Sequence, residues 1–177
     1  MTRRVSLFIR ESTWYNTSCP PLNKPCGGGG GPSNGIEPIP TWQASLNSLL
    51  KGWRGTPDIS FEANPASGVG VYDSNSPYSG WIPGSVGGTS LSSSALAGIV
   101  NSAGNFYGYG AVGQGYIPEN ALLYSQLGGS MTYRAYFTDV RAGRPGTNRC
   151  GQSGQYGTTG GWDFCTGVGT PRTLVGK

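Results

Sequence analysis

The chain has 177 residues, of which 32 are glycine, only 11% are charged and none is histidine. Its length suits one domain with a hydrophobic core, and its 11% aromatic content argues against an intrinsically disordered protein. The net charge of +4 is modest and the basic residues are scattered, so we expect no nucleic-acid partner. We also expect no membrane partner, because no apolar run approaches the roughly 20 residues of a membrane span.

The first forty residues contain one short apolar run, two cysteines and a run of glycines. Residues 5–9 predict a strand, and residues 11–41 predict loops. The five glycines at 27–31 lack the Lys-Ser/Thr ending of a phosphate-binding loop, and a flexible loop is one interpretation of them.

Four cysteines allow three disulfide pairings. We expect the two local pairings, Cys19–Cys26 and Cys150–Cys165, because glycine-rich loops supply the reach. Disulfides form in an oxidising compartment, which favours a secreted protein.

The next elements in chain order are a short helix and two strands. Apolar residues at i, i+4 and i+7 spacing predict a helix within residues 42–53. Residues 59–61 and 68–72 predict strands on either side of a turn at residues 64–67.

Residues 86–100 hold the stretch around which we expect the chain to be organised. Glycines lead through Thr89 and Ser90 into small and apolar residues, which predict a helix that is apolar on nearly all sides and therefore buried. Thr89 or Ser90 is the expected N-cap, and Gly104 is a stop signal. A serine at this point is chemically useful, because the amides of a first helical turn can stabilise an oxyanion. Taken alone, however, Ser90 is better explained as a cap than as a nucleophile.

The last elements are a helix at residues 118–127 and a strand at residues 131–137. Strands that lead into a central helix predict an α/β protein whose site lies at the strand ends. Without histidine, this site has neither a Ser-His-Asp triad nor a histidine zinc site.

Three blocks resemble the sedolisins, the serine-carboxyl branch of the subtilisin-like peptidases. They are residues 57–60, the segment 87–98 around Gly88-Thr89-Ser90, and residues 136–140 together with 161–167. Their order is similar to the C-terminal half of a sedolisin catalytic domain. The resemblance implies a subtilisin-like three-layer α/β fold with a mostly parallel sheet, of which residues 1–177 would be only the C-terminal part of a single domain. It also implies that the glycine run borders a cleft for a protein or peptide substrate.

The resemblance implies that Ser90 is the nucleophile of a serine endopeptidase. In this family the base is a glutamate supported by an aspartate, which agrees with the absence of histidine. Both residues, and the aspartate of the oxyanion hole, would lie upstream of Glu11, in an N-terminal portion that this chain lacks. One departure from the family motif is Ser94, which stands where the family usually has proline.

The resemblance further implies a calcium site. Asp139 and Asp163 align with calcium-binding aspartates, and Val140, Thr159 and Gly161 align with residues that offer carbonyl oxygens. Calcium prefers such oxygen ligands. Two alternatives to an active peptidase stay open: a pseudo-peptidase with a structural role, and a module that binds carbohydrate or peptide through its 5 tryptophans and 10 tyrosines.

Overall fold

A computed structural model describes residues 11–19, 23–75, 79–102, 119–125, 127, 130–140 and 161–172. Helices and strands both occur, so the expected mixed α and β content is confirmed at this level. The expected strand at residues 5–9, the stop signal at Gly104, and both Cys150 and Thr159 lie outside these residues.

The regular elements are short. The strands are β1 (Tyr15–Cys19), β2 (Lys24–Gly27), β3 (Gly31–Pro32), β4 (Gly55–Thr56), β5 (Tyr72–Asp73), β6 (Gly80–Trp81), β7 (Phe137–Thr138) and β8 (Thr170–Pro171). The helices are a 3-10 helix (Thr41–Leu46), α1 (Asn47–Leu50), α2 (Thr89–Ser102), α3 (Glu119–Ser125) and α4 (Ser130–Tyr136).

The strands of the described residues form four two-stranded antiparallel sheets: β1 with β2, β3 with β4, β5 with β6, and β7 with β8. No parallel pair occurs among them. The strand expected at residues 59–61 is not formed, and most of the one expected at residues 68–72 is replaced by an isolated bridge between Val69 and Val86. These segments alternate too briefly to hold a ladder, and glycines at 68 and 70 weaken strand formation further.

The helix expected within residues 42–53 is confirmed, as the 3-10 helix followed by α1, and the one expected at residues 118–127 is confirmed as α3. The strand expected at residues 131–137 is wrong, because α4 occupies most of it. Tyr133 and Phe137 are four positions apart, and their rings stack with centroids 5.8 Å apart. Helical spacing therefore accounts for this segment better than alternation.

The hydrophobic core joins α1 to the C-terminal elements. Its buried side chains are Leu50, Leu123, Tyr124, Tyr133, Phe137, Trp162, Phe164 and Val168. The rings of Trp162 and Phe164 meet edge to face at 5.0 Å, and the Tyr133 hydroxyl lies 2.9 Å from the carbonyl oxygens of both Gly161 and Val168. Residues 161–168 are thus held by both apolar packing and hydrogen bonds.

The prediction that α2 is buried is wrong. No α2 residue is buried, although the helix itself is confirmed over Thr89–Ser102. One stripe is half-buried: Leu91, Ser92, Ala95, Leu96, Ile99 and Val100. The described residues cover only part of the helix circumference, so its small apolar side chains stay partly accessible.

Gly167 lies where the core meets the segment at Asp58. Its φ of +62° is in the left-handed region, and an added Cβ would lie 2.2 Å from the Asp58 carbonyl oxygen. That oxygen already accepts a hydrogen bond of 2.8 Å from the Val168 amide, so the chain has little freedom to move away.

We expect Gly167→Ala to destabilise the protein by about 2–5 kcal/mol, because left-handed strain adds to overpacking. Gly35→Ala is the matched control: its φ is +93°, and a Cβ there meets nothing within 4 Å. Only the strain of about 1–2 kcal/mol should appear in the control. Urea unfolding of both variants measures the difference, and equal losses would contradict the steric explanation.

No helix among the described residues is long and apolar enough to cross a membrane. Cys26 and Cys165 are each disulfide-bonded. The pairings Cys19–Cys26 and Cys150–Cys165 stay predictions, since the side chain of Cys19 and all of Cys150 are outside the described part of the chain.

Candidate functional site

The turn into α2 is built on Gly88. Its φ of +89° is left-handed, a conformation that glycine adopts at little cost, and its amide donates a hydrogen bond of 2.6 Å to the Ala63 carbonyl. Its own carbonyl accepts from the amides of Leu91 and Ser92, at 3.0 and 3.4 Å. Gly88 is therefore the N-cap, and the prediction that Thr89 or Ser90 caps the helix is wrong.

Ser90 lies in the first turn of α2, two residues after this cap, and is exposed. The amides of Thr89 and Ser90 donate to no residue that the structure describes, and neither does the Ser90 hydroxyl. Two orphan amides thus remain at the positive end of a 14-residue helix. Such amides can stabilise a developing oxyanion beside an accessible hydroxyl.

Ser92 fastens this turn to the segment before it. Its hydroxyl oxygen lies 2.9 Å from the carbonyl oxygens of both Phe61 and Glu62. Together with the bond from Gly88 to Ala63, this contact fixes the start of α2 against residues 61–63. The position of Ser90 is therefore set by Ser92 and Gly88 of the same motif.

A groove of about 1010 Å³ lies beside this turn. Its walls include residues 11–15, 28–29 and 57–64, and one face of α2 that presents Thr89, Ser92, Ser93 and Leu96. Ser90 is not among the residues that line it. The glycine run therefore borders the groove through Gly28 and Gly29. These two glycines precede β3 and belong to no phosphate-loop motif.

Asp58 lines the groove and is the centre of a polar network that sequence reasoning missed. It forms an ion pair with Arg54 and accepts hydrogen bonds from Tyr124 at 2.8 Å and Asn120 at 3.3 Å. Burial, and next the Asp58 carboxylate, raise the pKa of the Tyr124 hydroxyl. The spacing of Arg54 and Asp58 could have suggested the pair, but nothing in the sequence indicates the partners on α3.

The buried end of this network is Gln43, whose side chain is 0% exposed. Its amide nitrogen donates to Tyr124 at 2.5 Å and to the Gly55 carbonyl at 2.8 Å, while its oxygen accepts from the Gly55 amide at 2.9 Å. Trp162 donates to the same tyrosine oxygen at 3.0 Å. These bonds connect the 3-10 helix, β4, α3 and the C-terminal loop, which identifies the network as structural.

No protein-family model and no curated protein matches the chain. The assignment of the site therefore depends on its residues and their geometry.

Asp139 lies near enough to Asp163 to influence its carboxyl electrostatically. Asp163 is 1% exposed, and burial raises the pKa of its carboxyl to about 6, with a smaller contribution from Asp139. Hydrogen bonds from the amides of Cys165 and Thr166 to Oδ1 oppose that shift. Among the described residues Oδ2 has only a 3.2 Å contact with the Thr166 hydroxyl, so it can accept a cation.

Of the three remaining expected calcium ligands, the structure describes Val140 and Gly161. Val140 directly follows Asp139 and is buried, while the Gly161 carbonyl accepts from Tyr133 at 2.9 Å and keeps a second lone pair. Thr159 lies outside the described residues. Among those described, no group of three or more Asp, Glu, His or Cys side chains is suited to a metal, so a cation here would depend on carbonyl oxygens as well.

Proposed function

We propose that this chain is the C-terminal part of a serine-carboxyl endopeptidase of the sedolisin type, with a subtilisin-like fold and Ser90 as nucleophile. The observation that carries the proposal is an exposed serine in the first turn of a helix, after a left-handed glycine, beside two amides that donate to none of the described residues. The secreted location and the protein or peptide substrate belong to the same proposal.

In this proposal the Ser90 hydroxyl attacks a peptide carbonyl as its proton passes to a base. The new Oγ–C bond gives a tetrahedral oxyanion, to which the amide of Ser90 donates. Collapse breaks the C–N bond, the amine leaves with a proton, and an acyl-enzyme on Ser90 remains for hydrolysis.

The base would come from a separate N-terminal portion, because the carboxylates of the described residues do not serve Ser90. Asp58 pairs with Arg54, Glu62 accepts from the Asn64 amide at 2.7 Å, and Glu11 accepts from Thr170. Among the described carboxylates, none accepts a hydrogen bond from Ser90. A glutamate and an aspartate one helical turn apart in the missing portion would complete the site.

Trapping the acyl-enzyme tests the role of Ser90. The chain is combined with an N-terminal portion that carries the glutamate and aspartate, mixed with a peptide substrate, and quenched in acid after milliseconds. Mass spectrometry should find the acyl group on the tryptic peptide that contains Ser90. Ser90→Ala should abolish the adduct, whereas Ser94→Ala, an exposed serine of the same helix, should retain it. An adduct on another residue, or none in a complex that cleaves peptide, would refute the assignment.

A second candidate function is a binding module without catalysis. Tyr72 and Trp81 are 60% and 70% exposed, and their rings meet edge to face at 5.6 Å. Exposed aromatic rings bind sugars and peptides well. Glycan or peptide binding that survives Ser90→Ala and is lost with Trp81→Ala would favour this module, or a pseudo-peptidase, over the enzyme.

We also propose that Asp139 and Asp163 bind calcium, with carbonyl oxygens of Val140, Thr159 and Gly161 as further ligands. The support is chemical: a buried carboxylate beside a second carboxylate is unfavourable without a cation, and every proposed donor is oxygen, as calcium prefers.

Calcium should therefore raise the melting temperature. At pH 7 we expect a rise of several degrees in 1 mM calcium over the chelated protein, because binding to the native state adds RT ln(1 + [L]/Kd), about 2.7 kcal/mol at one hundred times Kd. Asp163→Asn should abolish the rise. Glu37→Gln, which removes an exposed carboxylate elsewhere, should leave it intact. A melting temperature indifferent to calcium in the unaltered protein would rule out the site.

A further inference from the structure

The segment 59–63, which lines the groove, has backbone donors without described partners. The amides of Ile59, Phe61, Glu62 and Ala63 donate to none of the residues that the structure describes. All four residues line the groove, and none of them is buried. Unpaired backbone groups beside a groove are the feature by which proteins bind an extended peptide through its main chain.

Another part of the lining supplies apolar surface and one more polar group. Trp14 and Tyr15 line the groove, and the Thr13 hydroxyl, which is buried, has no hydrogen-bond partner in the described part of the chain. Leu96 contributes from α2. An extended peptide in the groove would thus meet aromatic rings as well as backbone donors.

The charge of the groove selects among peptides. Glu11, Asp58 and Glu62 line it, and no lysine or arginine is among the residues described as lining it. Arg54 pairs with Asp58, whereas Glu11 and Glu62 form no ion pair with any residue that the structure describes. The whole chain has a net charge of +4, which repels cations at long range. The carboxylates of the groove attract a cation only close to the groove.

We propose that the groove binds an extended peptide segment that carries lysine or arginine side chains. Backbone amides of residues 59–63 donate to the peptide carbonyls, and the carboxylates of Glu11 and Glu62 attract the cationic side chains. This inference concerns binding alone. It does not depend on Ser90 as a nucleophile.

Two hexapeptides test the proposal on the full 177-residue chain. One alternates valine with lysine, the other alternates valine with glutamate, and both are capped and fluorescently labelled. Anisotropy titration at low salt should show the lysine peptide binding at least about tenfold more tightly, a preference that should shrink at high salt.

Two variants locate the binding. The double variant Glu11→Gln/Glu62→Gln should lose the preference for lysine, whereas Glu37→Gln, which removes the same kind of charge outside the groove, should keep it. Gly28→Phe should weaken both peptides at least about tenfold by filling the groove. A Cβ at Gly28 meets nothing within 4 Å, and a circular dichroism melt checks that this variant is folded.

The proposal is overturned if the two peptides bind equally or not at all. It is also overturned if the lysine preference survives the double variant, or if a folded Gly28→Phe protein binds as before. None of these outcomes bears on the acyl-enzyme experiment, since no step of the titration requires cleavage.

Discussion

The isolated 177-residue chain should hydrolyse peptides no faster than its Ser90→Ala variant, at acidic and at neutral pH. A serine hydroxyl is a weak nucleophile until a base removes its proton, and Ser90 has no carboxylate partner among the described residues. Loss of the base or nucleophile in a serine peptidase costs about 10⁴-fold to 10⁶-fold in rate. Adding an N-terminal portion with the glutamate and aspartate should restore cleavage that depends on Ser90.

The measurement is release of a fluorescent peptide product by the chain alone, by the combined chains, and by the combined chains with Ser90→Ala. Robust turnover by the chain alone, lost in Ser90→Ala, would mean that one of its own eight carboxylates is the base. Substituting each glutamate by glutamine and each aspartate by asparagine would then identify it.

Gln43→Leu should be among the most destabilising single substitutions in the described part of the chain. Leucine fills a similar volume but leaves the buried Gly55 amide without its acceptor and removes the Gln43 donor from both the Gly55 carbonyl and the Tyr124 hydroxyl, although Arg54 still donates to that carbonyl. Each unsatisfied buried group costs about 1–3 kcal/mol, so we expect a loss of about 2–5 kcal/mol in the free energy of unfolding. For a protein of this size that lowers the melting temperature by roughly 5–15 °C.

Asn101→Leu is the matched control for Gln43→Leu. It also exchanges a side-chain amide for leucine, but at an exposed position of α2, and surface changes usually stay within about 0.5 kcal/mol. Chemical denaturation of both variants measures the two losses. Similar values would show that the network around Gln43 is not a main source of stability.

The sequence predicted most helices but few of their environments. α2, α3 and the helix before Trp53 follow from apolar spacing and glycine boundaries, which are local signals. The degree of burial of α2 does not follow from these local signals, because burial depends on what packs around a helix. Residues 131–137 were ambiguous between alternation and helical spacing, and packing of Tyr133 on Phe137 favours the helix.

The candidate site was predictable where one short motif builds it and unpredictable where distant segments meet. Five consecutive residues suffice to predict that Ser90 follows a glycine turn, although the N-cap of the helix is Gly88 rather than a hydroxyl side chain. The network that joins Gln43, Asp58 and Tyr124 spans 81 positions, and no pattern in one sequence indicates such a meeting. The groove arises in the same way, from segments that are far apart in the chain.

The Ser92 contact has a consequence for how events in the groove reach Ser90. Its hydroxyl binds the carbonyls of Phe61 and Glu62, two residues that line the groove, and it belongs to the same helical turn as Ser90. The Gly88 amide binds the neighbouring Ala63 carbonyl. A displacement of residues 61–63 would therefore move the turn that holds Ser90 without passing through the core. Ser92 is thus one of two mechanical links, and Ser92→Ala would weaken the coupling of the two surfaces, which the Gly88 bond would still maintain in part.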